Sequence, residues 1–297
     1  MRVAAVDLGT NSSRLLVADV NGELTEVVRR LAITRLGEGV AARGKLLPLP
    51  IARVRNVLSD YRRELEALGA ERTLAIATSA VRDADNGEAF LGEIEWSYGF
   101  TTRLLSGDDE AAMTLRGVGD LADGTLVVDL GGGSTELQVV GTRHRTSLQI
   151  GCVRLTERFG EDVAAIRSHV RSLLPDLEAE RAVGVAGTVT SLAALDLGLA
   201  GHDGERTHGH VLSREAVTAQ TARLGSLTVD ERARIMEPGR ASVIVAGAAI
   251  LAEILERYGL HGIEASDRDI LHGAALTAAE LPEPAEGDAP PGAYTCC

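Results

Sequence analysis

The chain has 297 residues, 45% of them hydrophobic, and a formal net charge of −13. That length favours two domains over one, and the acidic balance excludes a chain-wide nucleic-acid surface. The most apolar run, residues 243–252, is too short for a membrane span, which needs about 20 residues, and three cysteines make no disulfide framework.

Met1-Arg2 leads straight into a strand, so no signal peptide is expected and a reduced cytoplasmic setting follows. Residues 3–8, 14–19 and 23–33 predict three strands joined by short polar turns. Residues 48–68 carry apolar side chains at helical spacing (Ile51, Val54, Val57, Leu58, Leu65, Leu68) and stop at Gly69. A buried strand over 74–77, a helix over 86–97, a strand over 101–104 and a helix over 108–118 follow. The pattern then restarts. Strands are predicted over 125–129, 135–140 and 143–150, and helices over 151–159 and 162–180. A strand over 182–186 feeds a helix reaching 197. Helices over 213–224, 229–236 and 240–258, a strand over 262–265 and a helix over 269–281 close the order. Residues 282–297, with four prolines and three acids, read as a disordered tail that carries Cys296-Cys297.

The chain is thus an approximate repeat of two α/β halves, 1–121 and 122–281, divided near Asp120–Gly124. A cleft between two such domains is the expected place for a ligand.

The two halves share one turn. "DLGTNSS" (7–13) and "DLGGGST" (129–135) each join two apolar strands. Gly9 and Gly131-Gly132-Gly133 allow close backbone approach and positive φ. Exposed N–H groups in such turns form an anion-binding concavity. Thr10, Asn11, Ser12, Ser13, Ser134 and Thr135 add neutral polar groups suited to phosphate oxygens. An acid in a phosphate site, Asp7 or Asp129, calls for a bridging cation, and Mg²⁺ is held in this way by one or two carboxylates plus phosphate and water. The alternative for a single turn is a tight hairpin; two matched turns favour phosphate.

Other features carry weaker signals. Basic residues gather early (Arg29, Arg30, Arg35, Arg43, Lys45, Arg53, Arg55, Arg62, Arg63), either as a local positive surface or as a solvated helix face. "HDGERTHGH" holds His202, His208 and His210 beside Asp203 without regular metal-ligand spacing, so a structural loop is expected. Gly187-Thr188 sits at a strand-to-helix turn.

The two loops resemble the phosphate-1 and phosphate-2 loops of the actin/Hsp70/sugar-kinase superfamily. Together, "DLGTNSSRLL", "ATSAVRDADN", "SGDDEA", "DLGGGSTEL" and "GCVRLTERF" closely resemble the exopolyphosphatase/guanosine pentaphosphate phosphohydrolase (Ppx/GppA) family over residues 1 to about 280, in its short two-domain form. The resemblance implies two ribonuclease-H-like (actin-like ATPase) domains with a cleft between them. It implies hydrolysis of a terminal phosphoanhydride with Mg²⁺, on inorganic polyphosphate or on guanosine pentaphosphate (pppGpp). A homodimer is compatible with it.

The resemblance places the catalytic glutamate on Glu110, with Asp at 109 as a departure from the family pattern. Like-charge neighbours Asp108 and Asp109 are expected to raise its proton affinity. It also points to Arg82, whose guanidinium can fork onto phosphate oxygens; an ion pair to Asp83 or Asp85 is the alternative. Gly9, Thr10, Asn11, Ser12, Gly131, Gly132, Gly133 and Ser134 take the phosphate role. Asp7, Asp129 and Glu110 take the metal role, with Glu136 a candidate acid behind them. In the superfamily a turn like Gly187-Thr188 meets a nucleotide. Two readings of another class stay open: an ATP-dependent kinase or switch, and a non-catalytic polyphosphate or alarmone sensor.

Overall fold

The computed structural model describes residues 1–199, 201 and 203–282. The chain opens with β1 (Arg2–Leu8), β2 (Ser12–Asn21) and β3 (Glu23–Ile33). Then come α1 (Val40–Arg43), α2 (Pro48–Leu68), β4 (Arg72–Ala77), α3 (Ser79–Arg82), α4 (Gly87–Tyr98), β5 (Thr101–Leu104) and α5 (Gly107–Val118). The second run begins with β6 (Thr125–Leu130), β7 (Thr135–Val139) and β8 (Arg145–Leu148), followed by α6 (Cys152–Phe159), α7 (Val163–Leu173), β9 (Arg181–Val185) and α8 (Ala186–Asp196). It continues through α9 (Gly204–Thr207), β10 (Val211–Ser213), α10 (Arg214–Ser226), α11 (Val229–Arg232), a 3-10 turn (Pro238–Arg240), α12 (Ile244–Arg257) and β11 (Gly262–Ala265). α13 (Ile270–Ala279) ends the regular structure.

The repeat read from the sequence appears in the sheets. The first is ordered β3-β2-β1-β4-β5 and the second β10-β11-β9-β6-β7-β8. In each, the first three strands form an antiparallel meander and the later strands join its first strand in parallel. Only β10, antiparallel to β11, breaks the match. This is the ribonuclease-H-like order, used twice.

The first unit comprises Met1–Gly117 and the chain from Ile270 onward. Its sheet is covered on both faces, so β1 reads as an unbroken apolar run rather than an alternating one. Ala4, Val6 and Leu8 pack with Val54, Leu58 and Leu65 of α2 and with Phe90 and Ile94 of α4. Val3 and Ala5 pack on the other face against Ile270, Leu271, Ala274 and Ala278 of α13. α13 therefore belongs to the first unit, and the expected division into 1–121 and 122–281 is corrected: the chain leaves at Val118 and returns at Ile270. The small residues of α13 allow this. A Cβ on Gly273 would lie 1.9 Å from the Met113 carbonyl oxygen of α5.

The second unit spans Val118–Asp269. Its core joins Leu126, Val128 and Leu130 of β6 to Leu137 and Val139 of β7, to α6 and α7, and to the almost wholly buried α12. Among the described residues no helix is long and apolar enough to cross a membrane.

Several predicted elements are shorter than expected, for local reasons. The helix from 162 stops at Leu173, because Leu174 precedes Pro175 and takes an extended conformation (φ −65°, ψ 125°). The segment expected helical over 229–236 is only α11, started by a capping box between Thr228 and Glu231. α12 starts at Ile244 because Pro238–Arg240 form the 3-10 turn. The expected tail lies outside the described residues except for Pro282, and so do Cys296-Cys297.

One buried carboxylate ties α12 to α7. Glu253 is 1% exposed and is held by Arg167 (2.9 Å) and Arg171 (2.5 Å). Burial pushes its carboxyl up, but the hydrogen bonds from Arg171 and Arg167 outweigh burial and hold it below its ordinary value. Such a group stabilises the fold above its unfolded-state pKa and loses that contribution as the pH falls through its folded-state pKa. Denaturant midpoints measured from about pH 7 down to about pH 3 should therefore fall in acid, and Glu253→Gln should flatten that acid limb.

Candidate active site

The β1–β2 turn is a hairpin whose carbonyls are tied down. The Gly9 N–H donates to the Ser12 carbonyl (3.0 Å). The Thr10 and Asn11 carbonyls accept from the N–H groups of Gly37 and Arg35, each at 2.9 Å. The N–H groups of Thr10 and Asn11 donate to no acceptor among the described residues. The Asn11 amide Nδ2 is buried and has no partner there either. The turn thus presents donors and hides acceptors. Ser13 faces inward, bonded to Thr34 (3.0 Å), and plays no part in this.

The β6–β7 turn repeats the closing bond and again has its carbonyls held, by more bonds and from a different element. The Gly131 N–H donates to the Ser134 carbonyl (3.0 Å). The first turn of α6 holds the loop carbonyls: the Cys152 N–H donates to Gly131, and those of Val153 and Arg154 donate to Gly132, at 2.9–3.1 Å. Arg154 Nε donates to the Gly133 carbonyl (2.7 Å). The N–H groups of Gly132, Gly133 and Ser134 donate to nothing among the described residues. Oriented N–H groups of this kind make an anion cradle. Thr135 is a structural residue, its hydroxyl donating to the Ile150 carbonyl.

Positive φ is not what the loop glycines supply. None of Gly9, Gly131, Gly132 and Gly133 has it. Close approach is the reason at two of them. A Cβ on Gly9 would lie 3.0 Å from the Ser12 carbonyl oxygen, and one on Gly131 would lie 3.0 Å from that of Ser134. Gly151, at the start of α6, is more constrained: its Cβ would lie 2.3 Å from the Gly132 oxygen and 2.5 Å from the Gly133 carbonyl carbon.

The two hairpins differ at one matched position. Asp7 pairs in register with Arg14, and Asp129 with Glu136. Arg14 donates to Asp7 Oδ2 through Nε (2.9 Å) and Nη2 (2.7 Å). Asp7 thus already has a protein cation beside it, which fits a metal ligand poorly. Asp129 and Glu136 are buried carboxylates, 7% and 2% exposed, side by side on β6 and β7. Ser147 donates to Glu136 (2.6 Å). Two adjacent hard-oxygen acids beside a phosphate cradle fit the donor set of Mg²⁺, which takes one or two carboxylates and completes its shell with phosphate and water. The described residues contain no group of three or more His, Cys, Asp or Glu able to hold a metal by themselves.

Back in the first unit, Arg82 ends α3 and Glu110 lies in the first turn of α5. Arg82 Nη1 donates to Glu110 Oε2 (3.0 Å) and to the Leu105 carbonyl (2.7 Å). Arg82 Nη2 is buried with no partner among the described residues. Of the three consecutive acids only Glu110 is buried; Asp108 and Asp109 are exposed, and Asp109 bonds Ser106 Oγ (2.6 Å). The Arg82 guanidinium thus lies in direct contact with the Glu110 carboxylate. Neither Asp83 nor Asp85 pairs with Arg82; Asp83 accepts from Ser79 (3.3 Å).

Gly187 and Thr188 sit at the β9–α8 turn, as expected, but covered. A Cβ on Gly187 would lie 1.5 Å from Arg240 Nη1, so the guanidinium rests on the glycine backbone. Thr188 is 4% exposed and packs on Gly247 of α12. Burial pushes the Cys152 thiol up, offset in part by the Arg240 charge and the Thr188 hydroxyl. Ala186 holds the turn in the left-handed region (φ 66°), a strain of about 1–2 kcal/mol for a residue with a Cβ. Neither Ala186 nor Arg240 is legible from residue patterns, because alanine carries no turn signal and Arg240 lies more than fifty residues from Gly187 in the chain.

His208 and His210 make contacts within the fold. His210 bonds Asp196 (2.7 Å), and His208 Nδ1 accepts from the Asp267 N–H (3.3 Å). His202 lies outside the described residues. Most of the early basic residues are neutralised in carboxylate pairs: Arg29 with Glu26, Arg30 with Glu64, Arg53 with Glu38, Arg55 with Glu93, Arg62 with Glu66 and Arg63 with Asp60.

Two ribonuclease-H-like units, each with a glycine-containing hairpin between its first two strands, define the class as a two-domain actin-like fold. Within that class, the model of the Ppx/GppA phosphatase family matches residues 15–280, and the chain belongs to that family. It is 39% identical to Exopolyphosphatase 2 of Mycobacterium tuberculosis over 94% of this chain and 98% of that protein. It is 31% identical to a guanosine-5'-triphosphate,3'-diphosphate pyrophosphatase of Vibrio vulnificus, over 85% of this chain but only 54% of that longer protein. The crystal structure of the Aquifex aeolicus family member superposes with a TM-score of 0.77 at 30% identity, covering 94% of this chain and 97% of that one.

Proposed function

We propose that this phosphoanhydride hydrolase releases terminal orthophosphate from inorganic polyphosphate, with Glu110 as general base. The observation that carries the reading is the part-buried Arg82–Glu110 pair at 3.0 Å, with Arg82 Nη2 left to take a ligand. Glu110 accepts a proton from a water. The water oxygen attacks the terminal phosphorus as the bridging P–O bond breaks, and the shortened chain leaves as an anion. Arg82 neutralises charge on the transferring group, where a fixed guanidinium is worth more than in water. Thr10 and Asn11 in the first unit, and Gly132, Gly133 and Ser134 in the second, offer N–H donors to phosphate oxygens. Asp129 and Glu136 would hold Mg²⁺, which offsets phosphate charge when bound.

Polyphosphate ranks first because the exopolyphosphatase relative matches over nearly its whole length, whereas the pyrophosphatase relative matches over about half of its own. The second substrate, pppGpp, is cut by the same step, and that relative's name supports it. The test is orthophosphate release with Mg²⁺ from long-chain polyphosphate, tripolyphosphate, pppGpp and ATP in parallel. Release chiefly from polyphosphate is expected. A preference for pppGpp moves the function to alarmone turnover, and release from ATP alone, or from none of the four, overturns the reading.

A further inference from the structure

We propose that residues 35–45 form a cationic ledge that binds phosphates of a linear polyphosphate beyond the scissile bond. The proposal rests on the hydrolase reading above and adds to it a determinant of chain-length preference.

Three observations point there. First, of the nine early basic residues, Arg35, Arg43 and Lys45 alone have no carboxylate within 4 Å among the described residues, and all three are exposed. Lys45 is also the only lysine in an otherwise arginine-based and acidic chain. Second, the segment is fastened at both ends to elements that carry the candidate site. Arg35 N–H and Gly37 N–H bind the Asn11 and Thr10 carbonyls of the first cradle at 2.9 Å. A Cβ on Gly37 would lie 2.3 Å from Thr10 Cγ2. At the other end the Gly44 carbonyl accepts from Asp85 (2.8 Å), and Asn86 makes two hydrogen bonds to the Leu46 backbone (2.9 and 3.1 Å), in the turn after Arg82. Third, Arg35 is one of only two non-glycine residues with positive φ (49°) among the described residues. Strain of that kind persists where the surroundings fix it, and it gathers at ligand sites.

Unpaired cations on a fixed segment suit a polyanion. They require no particular geometry from it, and their effect is screened by salt. A substrate with only a few phosphates, held in the cradle, has nothing left to lay along the ledge.

The test compares the wild type with Arg35→Asn/Arg43→Gln/Lys45→Gln, asparagine being chosen because it tolerates the left-handed backbone. Arg55→Gln, which removes one positive charge elsewhere on the surface, serves as control. For long-chain polyphosphate, kcat/KM should fall about tenfold or more, and its log–log salt dependence should flatten by about two. Tripolyphosphate turnover should stay within about threefold, and thermal unfolding should not shift. An equal loss on tripolyphosphate, no loss at all, or a matching loss in Arg55→Gln overturns the ledge. Binding of fluorescently labelled long-chain polyphosphate separates the two claims. If the wild type hydrolyses nothing yet binds polyphosphate more tightly than the triple variant, the hydrolase reading fails and the ledge stands. If binding is the same in both, the ledge fails whatever is hydrolysed.

Discussion

Glu110→Gln is expected to lower orthophosphate release by about 100-fold or more, since a positioned general base typically contributes at least that much. The substitution keeps the side-chain shape. Its amide oxygen can still accept from Arg82 Nη1, and Arg82 keeps its bond to the Leu105 carbonyl (2.7 Å). Substrate affinity should therefore change little, and labelled polyphosphate should bind the variant nearly as it binds the wild type. Asp109→Asn, on the adjacent exposed acid, should leave turnover near the wild-type rate, because Asp109 serves Ser106 and not the Arg82–Glu110 pair. If Glu110→Gln retains activity within about threefold of wild type, the base lies elsewhere. If Asp109→Asn is the inactive variant, the family assignment of Glu110 has been transferred one residue too far.

What the sequence disclosed follows from which forces are local. The three-strand opening of each half was legible because its turns use glycine and short polar residues and its strands run apolar. α2 was legible end to end, since Pro48 begins it and Gly69 (φ 69°) caps it with N–H bonds to Glu66 and Leu65. The two cradles were legible as a repeated motif. The use of their glycines was not: close approach to a carbonyl three residues on leaves no trace that separates it from positive φ. α13 was placed in the wrong half because its apolar residues say that it is buried but not against which sheet. Tertiary partners were the least legible. That Arg14 would stand against Asp7, that Arg82 would reach Glu110, and that Arg240 would cover Gly187 all depend on side chains brought together by the fold.

The repeat is most informative where it fails. At the matched register position one half has Arg14 against Asp7 and the other has Glu136 against Asp129. An arginine is a donor only, whereas a second carboxylate adds hard oxygen acceptors to the same position. The asymmetry gives the first unit an Arg14–Asp7 ion pair at the position where the second unit has two carboxylates, the donor type that suits a divalent cation.

Gly151→Ala should be the most damaging change among the glycines around the second cradle. The added methyl would stand 2.3 Å from the Gly132 oxygen and 2.4 Å from its carbonyl carbon, and backbone, unlike a long side chain, has no free end to swing away. Either α6 retreats or the loop moves. Both routes break the bonds from Cys152, Val153 and Arg154 that hold the loop carbonyls and aim the N–H groups of Gly132, Gly133 and Ser134 outward. Overpacking of this kind costs about 1–3 kcal/mol of stability, and a shift of about 1 Å in a positioning element can cost about 100-fold in rate. The expected result is a lowered unfolding temperature with kcat/KM reduced far more than the folded fraction is. Gly225→Ala, in open space on the exposed side of α10, is the comparison and should be neutral or slightly stabilising. A Gly151→Ala protein with wild-type turnover would mean that the α6–loop contact does not fix the cradle, and that the phosphate-binding reading of the second loop rests on the wrong geometry.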